Sequence, residues 1–508
     1  MSASDAAART TGATVVRGGV WTALSHVVPQ LYVLALTIAA ARFLTPSEYG
    51  RQSFISFIAV SVLLVLTSGM ALALMRAVAE AVGAGRTADA LAIVAWAWRV
   101  QAVTGIVGGS ALVIAALLGA DPEAAWVLAG AFVTLGALQS VANAVLLGVQ
   151  RFRTAATIGL TTGAVMVPVA IGVFAAGGGI VGLFAVEAAV TAVNLVCSAV
   201  LARRALGSPT GRIRVDVRRA TLGFAGWTTA NALVTLVVWR RSEFLFLAHY
   251  STDVQIALYS IAFASVAAIA AVPERLSEVL VSAFATLRGA DASERIRTGF
   301  SRSLRLLTMA ALPLTAGMAA VGPDLIRLAY GDEYREAGTV LLVMVGVIPF
   351  LAVSSICVSF LSGLGDARTP LVAGLFAAVV NIVLAFVLVP RYDALGAGLA
   401  NAGAQVAATA ALYAAARRVS GPVDWHLASI ARVAVAAGAC AAASVAVLSV
   451  IDGPGGLVLA IAAGAISFTA PALALRALSG EDAAWLDGHF GHLLGGRAGA
   501  LVRRAGAR

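Results

Sequence analysis

The sequence predicts an all-α polytopic membrane protein of about 14 transmembrane helices, arranged as two pseudo-symmetric six-helix bundles with two extra C-terminal helices. Three observations predict it. Hydrophobic residues make up 60% of the 508 residues and charged residues only 12%, about half the charged share of a soluble domain. Apolar runs of about 20 residues, the length that crosses a bilayer, recur along the whole chain. Short segments of the first half also return, in the same order, in the second.

The first run, 18 to 41, follows Arg9 and Arg17 and ends in Ala39-Ala40-Ala41, which is the pattern of a cleaved leader. It is longer than the apolar core of a leader, about 7 to 15 residues, and it has a counterpart later in the chain, so it is read as the first span. Five more follow in the first half, at 53 to 75, 95 to 119, 124 to 148, 156 to 176 and 180 to 202. The second half supplies 221 to 249, 255 to 284, 304 to 329, 338 to 361, 370 to 390, 394 to 416, 427 to 451 and 455 to 477. Most connections are short and rich in Gly, Pro or charge, as in Gly119-Ala120-Asp121-Pro122-Glu123 and Gly453-Pro454-Gly455-Gly456, so no soluble domain is expected.

Orientation follows from the basic residues, all 35 of which are arginine. With a cytoplasmic N-terminus, 26 of them fall in cytoplasmic segments, 5 outside (Arg42, Arg51, Arg327, Arg335, Arg391) and 4 within spans (Arg99, Arg240, Arg241, Arg275). Positive residues are retained on the cytoplasmic side, so both termini are expected there, in the cell membrane. The net charge of +10 is thus a topology signal rather than a nucleic-acid footprint. Cys197, Cys357 and Cys440 each sit in an apolar run, which offers neither a disulfide framework nor a metal cluster.

The repeat is carried by Gly148-Val149-Gln150-Arg151-Phe152-Arg153-Thr154 and Gly363-Leu364-Gly365-Asp366-Ala367-Arg368-Thr369, each after the fourth span of its half. Val20-Trp21-Thr22-Ala23 likewise matches Gly226-Trp227-Thr228-Thr229, and Glu48-Tyr49-Gly50 matches Asp253-Val254-Gln255. The expected organisation is an N-lobe at 1–202, a basic cytoplasmic linker at 203–219, a C-lobe at 220–418, and a final pair of spans with a basic tail at 419–508. Six spans per repeat give both lobes one orientation, and parallel repeats of this kind place a substrate site between halves that rock against each other.

Several stretches resemble the polysaccharide-flippase branch of the multidrug/oligosaccharidyl-lipid/polysaccharide exporter superfamily. Arg42-Phe43-Leu44-Thr45-Pro46-Ser47-Glu48-Tyr49-Gly50 is similar to that family's first outer loop, and Ala257-Leu258-Tyr259-Ser260-Ile261-Ala262 to the start of its eighth span. Tyr330-Gly331-Asp332-Glu333-Tyr334 resembles its loop before the tenth span. Asn381 followed by Val389-Pro390-Arg391-Tyr392-Asp393-Ala394-Leu395-Gly396 resembles its eleventh-to-twelfth connection. Two departures stand out: Arg240, Arg241 and Glu243 occupy span 7, where many members carry an isolated acidic residue, and Asp393 stands where Gly is common. The resemblance implies two six-helix lobes, spans 13 and 14 packed outside, and movement of undecaprenyl-diphosphate-linked sugars between leaflets.

An anionic diphosphate head group calls for guanidinium groups, which bind phosphate oxygens bidentately and stay charged. The substrate-binding candidates are therefore Arg240, Arg241, Arg275 and Arg99. The rival for Arg240 and Arg241 is snorkelling to an interface marked by Trp239; for Arg275, a solvated helix end after Pro273; for Arg99, an interface anchor beside Trp96 and Trp98. Glu243, three residues past Arg240, is either its salt-bridge partner or a coupling carboxylate. Glu187, Glu274 and Glu278 are further coupling or ion-pair carboxylates, and His26 and Gln30 are polar groups of the first span. There is no phosphate-binding Gly-rich loop, no His/Cys metal set and no nucleophile motif, so no enzyme activity, metal or cofactor is expected. The partners are a lipid-linked glycan, membrane lipids and glycan-assembly enzymes; nucleic acid is excluded, and the chain is read as a monomer. Two alternatives remain open, a multidrug/cation antiporter of the same superfamily and a polytopic glycan polymerase or ligase.

Overall fold

The computed structural model describes residues 31–239, 242–289, 293–366, 368–477 and 482. All regular structure among them is helical. The elements are α1 (Leu31–Phe43), α2 (Pro46–Gly83), α3 (Thr87–Leu117), α4 (Glu123–Gly148), α5 (Phe152–Ala175), α6 (Gly179–Leu206) and α7 (Val215–Trp239). These are followed by α8 (Glu243–Tyr250), α9 (Asp253–Gly289), α10 (Ser293–Tyr330), α11 (Ala337–Val345), α12 (Ile348–Gly363), α13 (Arg368–Ser420), α14 (Leu427–Leu448) and α15 (Gly453–Ala474). Ten of them are long and apolar enough to cross a membrane, and α11 with α12 makes an eleventh span bent by 45°. The bend falls just before Pro349, which has no N–H to continue the helix. The 53 residues of α13 are two helices merged across Asp393, so this element supplies two crossings. Among the described residues, ten or eleven helices thus qualify as spans by length and composition, with α13 long enough to cross twice, against the fourteen predicted.

The chain divides into two compact units between Leu236 and Val237. In the first, Leu74, Val78, Ile93, Val94, Val141, Val145 and Leu146 form one buried cluster from α2, α3 and α4. Packing in lipid depends on close backbone approach, and the α3–α4 seam shows how it is reached. A Cβ on Gly109 would lie 2.6 Å from the Gly130 carbonyl oxygen, and one on Gly130 would lie 2.6 Å from that of Gly109. The Thr134 hydroxyl fills the remaining gap, within hydrogen-bond distance of both Gly105 O (3.1 Å) and Gly130 O (3.0 Å). A polar seam joins α4, α5 and α6: Gln139 donates to Asn194 Oδ1 (3.2 Å), Ser198 donates to the same oxygen (3.1 Å), and Asn194 donates to the Thr162 hydroxyl (3.2 Å).

In the second unit, Phe300 stacks on Phe360 at 4.1 Å and Phe284 meets Phe360 edge-on at 5.4 Å, with Leu304 and Leu412 closing the cluster. α14 and α15 pair through small residues: the Ser444 hydroxyl donates to Ala460 O at 3.0 Å, and a Cβ on Gly464 would overlap that hydroxyl.

The repeated loops share their backbone. α4 ends at Gly148 and α12 at Gly363, and the residues two places on, Gln150 (φ 59°) and Gly365 (φ 80°), are both left-handed. The amides of Val149, Gln150 and Arg151 bond Val145, Leu147 and Leu146, as those of Leu364, Gly365 and Asp366 bond Phe360, Ser362 and Leu361. Asp366 then caps α13, accepting from the Arg368 and Thr369 amides (3.1 and 3.0 Å) and the Thr369 hydroxyl (2.6 Å). That hydroxyl above all holds the Asp366 carboxyl below the usual carboxylate range. Of the other two sequence matches, Val20-Trp21-Thr22-Ala23 lies outside the described residues, and at the second the helix starts can be compared by their caps. The capping box Thr45-Pro46-Ser47-Glu48 at α2 corresponds to Thr252-Asp253-Val254-Gln255 at α9, where the Gln255 amide donates to the Thr252 hydroxyl at 3.4 Å, so by position in the cap Glu48 answers to Gln255.

Candidate functional site

A carboxylate placed among apolar helices must find donors, because leaving a charge unpaired in a low-dielectric interior is costly. Glu243, the first residue of α8, has no exposed surface. Its Oε2 accepts from the Tyr259 hydroxyl of α9 at 2.8 Å. Its Oε1 accepts two side-chain amides of α13, Asn381 at 2.8 Å and Asn401 at 3.0 Å. Tyr259 and Asn381 are equally inaccessible and Asn401 nearly so. Phe244 meets the Tyr259 ring edge-on at 5.7 Å and, with Leu247, seals the site.

The three donors are neutral, and the two asparagines come from either side of the bend in α13. Asn381 lies on its first arm and Asn401 on its second, so the carboxylate links the two. The bend is held separately. Asp393 has φ 48° and ψ −126°, a left-handed backbone that favours glycine, which explains why Gly is the usual residue in the connection this segment resembles. The Ser251 hydroxyl donates to Asp393 Oδ1, and the Ala394 amide, freed by the bend, donates to Gln255 Oε1 at 3.2 Å. Gly396 has no alternative, since a Cβ there would overlap the Leu388 carbonyl oxygen.

Asn381 Oδ1 is buried without a hydrogen-bond partner among the described residues. The arrangement can carry a proton on Glu243, which would change the charge held among these helices. Among the described residues no group of three or more His, Cys, Asp or Glu converges on one point.

Among the described residues, Glu243 is the sequence candidate that the structure places in this site. Arg240, Arg241, His26 and Gln30 lie outside the described residues. Glu274, Arg275 and Glu278 fall within α9, which continues past Pro273 to Gly289 rather than ending there; their side chains are outside those described. Arg99 is exposed on α3, its Nε donating to Ala95 O at 3.1 Å, and it follows the half-buried Trp96 and Trp98 in the chain. Glu187 is half-buried on α6, two turns from Asn194. Sequence reasoning missed Tyr259, Asn381 and Asn401 as ligands of Glu243. The available signal was an amide within each of two successive apolar runs.

The family model for polysaccharide biosynthesis proteins matches residues 39–339, and the model for the lipid II flippase MurJ matches 246–455. No curated protein matches the chain. Among solved structures, lipid II flippase MurJ in an inward closed conformation is similar with a TM-score of 0.69 at 13% identity, covering 90% of this chain and 98% of that one. An inward-facing multidrug resistance MATE transporter of the MOP superfamily gives 0.66 at 14% identity, with 79% and 98% covered. A MOP superfamily transporter from Pyrococcus furiosus, described as having a binding pocket of reversed polarity, gives 0.54 at 15% identity, with 80% and 95% covered.

Proposed function

The chain belongs to the polysaccharide biosynthesis protein family, and from that premise we propose that it is a flippase moving a lipid-linked, diphosphate-bearing glycan precursor across the cytoplasmic membrane by alternating access. The observation that carries this is the continuous cover of residues 39–455 by two family models, one for polysaccharide biosynthesis and one for a lipid II flippase. Arg240 and Arg241, three and two residues before Glu243 in the chain, are the head-group ligands in this reading, with Arg275 on α9 and Arg99 on α3 as further cationic contacts. Guanidinium groups suit the role because they stay charged and match phosphate oxygens in pairs.

Glu243 is the coupling group. Loading a proton changes the charge at a carboxylate that joins α8, α9 and both arms of α13, and hence the balance between conformers that differ in how these helices meet. Both termini face the cytoplasm, as the arginine distribution requires.

Deletion of the gene tests the function. Lipid-linked glycans should accumulate on the cytoplasmic leaflet, protected from reagents applied outside intact cells, and return to normal on complementation. A deletion strain with an unchanged pool and sidedness of every lipid-linked glycan would reject the proposal.

A further inference from the structure

At the arginine-rich end of the second unit, far along the chain from Glu243, lies a second buried charged cluster. Arg305 of α10 grips the Asp482 carboxylate with one edge of its guanidinium, Nε to Oδ2 at 2.7 Å and Nη2 to Oδ1 at 2.6 Å. Asp482 is wholly buried and Arg305 nearly so, and Arg302 reaches the same carboxylate at 3.3 Å. The remaining arm of Arg305, Nη1, donates to the backbone carbonyl of Asp424 in the loop between α13 and α14, at 3.0 Å. One side chain therefore joins α10, the entry to α14 and the chain that follows α15.

The hydrocarbon part of this contact is divided between two ends of the hairpin. α10 meets the α14–α15 hairpin through two small apolar clusters, Met309 with Val433 and Ala477 at one end and Val321 with Leu457 and Ala460 at the other. Apolar contact between helices gains little in lipid, whose tails are as apolar as the side chains. A bidentate Arg–carboxylate pair is geometrically specific as well as strong, and losing Arg305 removes two hydrogen bonds from the buried carboxylate that Arg302, at 3.3 Å, does not replace. We infer that Arg305 is a positioning residue that fastens the α14–α15 hairpin to α10, so that these three helices move as one body during transport. The inference goes beyond the substrate and coupling reading and does not depend on either.

The test uses the full-length protein in membranes, with Cys197, Cys357 and Cys440 replaced by serine. One cysteine pair, Met309→Cys with Val433→Cys, reports the anchored end of the hairpin. A second, Val321→Cys with Leu457→Cys, reports the other end. Arg305→Gln should cut cross-linking of the first pair and glycan export at least tenfold each, at unchanged abundance, while the second pair still cross-links. The exchange Arg305→Asp with Asp482→Arg should restore both readouts. Unchanged cross-linking of the first pair in Arg305→Gln would overturn the inference. So would loss of both cross-links together with abundance and no rescue by the exchange, which would mark an ordinary folding contact. Because cross-linking is read without substrate, a failure of the flippase proposal would show in export alone.

Discussion

Replacing Glu243 separates its charge from its place in the packing. In Glu243→Gln the amide oxygen can keep both asparagine donors, while the new NH2 takes the position of Oε2 and donates to the Tyr259 oxygen. The bond lost is the one the Tyr259 hydroxyl donated, so the stability loss should be that of a single membrane hydrogen bond, about 1 kcal/mol. Glu243→Ala instead removes the acceptor of three buried donors. Hydrogen bonds between membrane helices contribute about 0.6 kcal/mol each on average and about 1.7 at most, so three lost together cost about 2 to 5 kcal/mol. Denaturant unfolding in detergent should therefore rank wild type and Gln close together and Ala well below. Export should fail in both variants, in Gln because the site can no longer be charged. Equal stability of the Ala and Gln variants would refute the packing argument, and wild-type export by Glu243→Gln would refute the coupling role.

Three further outcomes follow from other parts of the chain. The double variant Arg240→Gln with Arg241→Gln should abolish export while leaving membrane abundance intact, and the Lys versions should keep part of it as point charges; normal export by the Gln pair would remove the head-group role. Asp393→Gly should be more stable than Asp393→Ala by about 1 kcal/mol, since both lose the Ser251 bond but only glycine relieves the left-handed backbone; thermal unfolding in detergent decides the order. Gly109→Ala should lower stability by about 1 to 3 kcal/mol by forcing α3 and α4 apart, whereas Gly223→Ala, where a Cβ meets open space, should change little in the same assay.

Much of the fold was legible because the signals are local. Apolar length marks spans, arginines mark one side, and the Gly148–Thr154 and Gly363–Thr369 segments repeat because both loops need a left-handed residue two places after a helix ends. The capping box at Thr45 could be read from four letters, whereas at Thr252 the Gln255 side-chain oxygen accepts from the Ala394 amide instead. The candidate site was less legible because its members are distant in sequence. Glu243 invited pairing with Arg240, three residues away, yet its observed donors stand 16, 138 and 158 residues along the chain. Only the bend in α13 brings Asn381 and Asn401 to one oxygen, and no periodicity in either apolar run announces that bend. Arg305 was legible as a positive-side residue but not as an anchor, since its partner Asp482 lies 177 positions away.

Reconstitution tests the central claim most directly. The purified chain would be placed in proteoliposomes loaded on one leaflet with a fluorescent lipid-linked diphosphate sugar, and the fraction reached by a membrane-impermeant quencher followed in time. The account predicts that a proton gradient drives the labelled lipid to the opposite leaflet, and that Glu243→Gln stops it without preventing insertion. Labelled lipid that stays on its original leaflet under every gradient, or that crosses as fast in liposomes bearing Glu243→Gln, would contradict it.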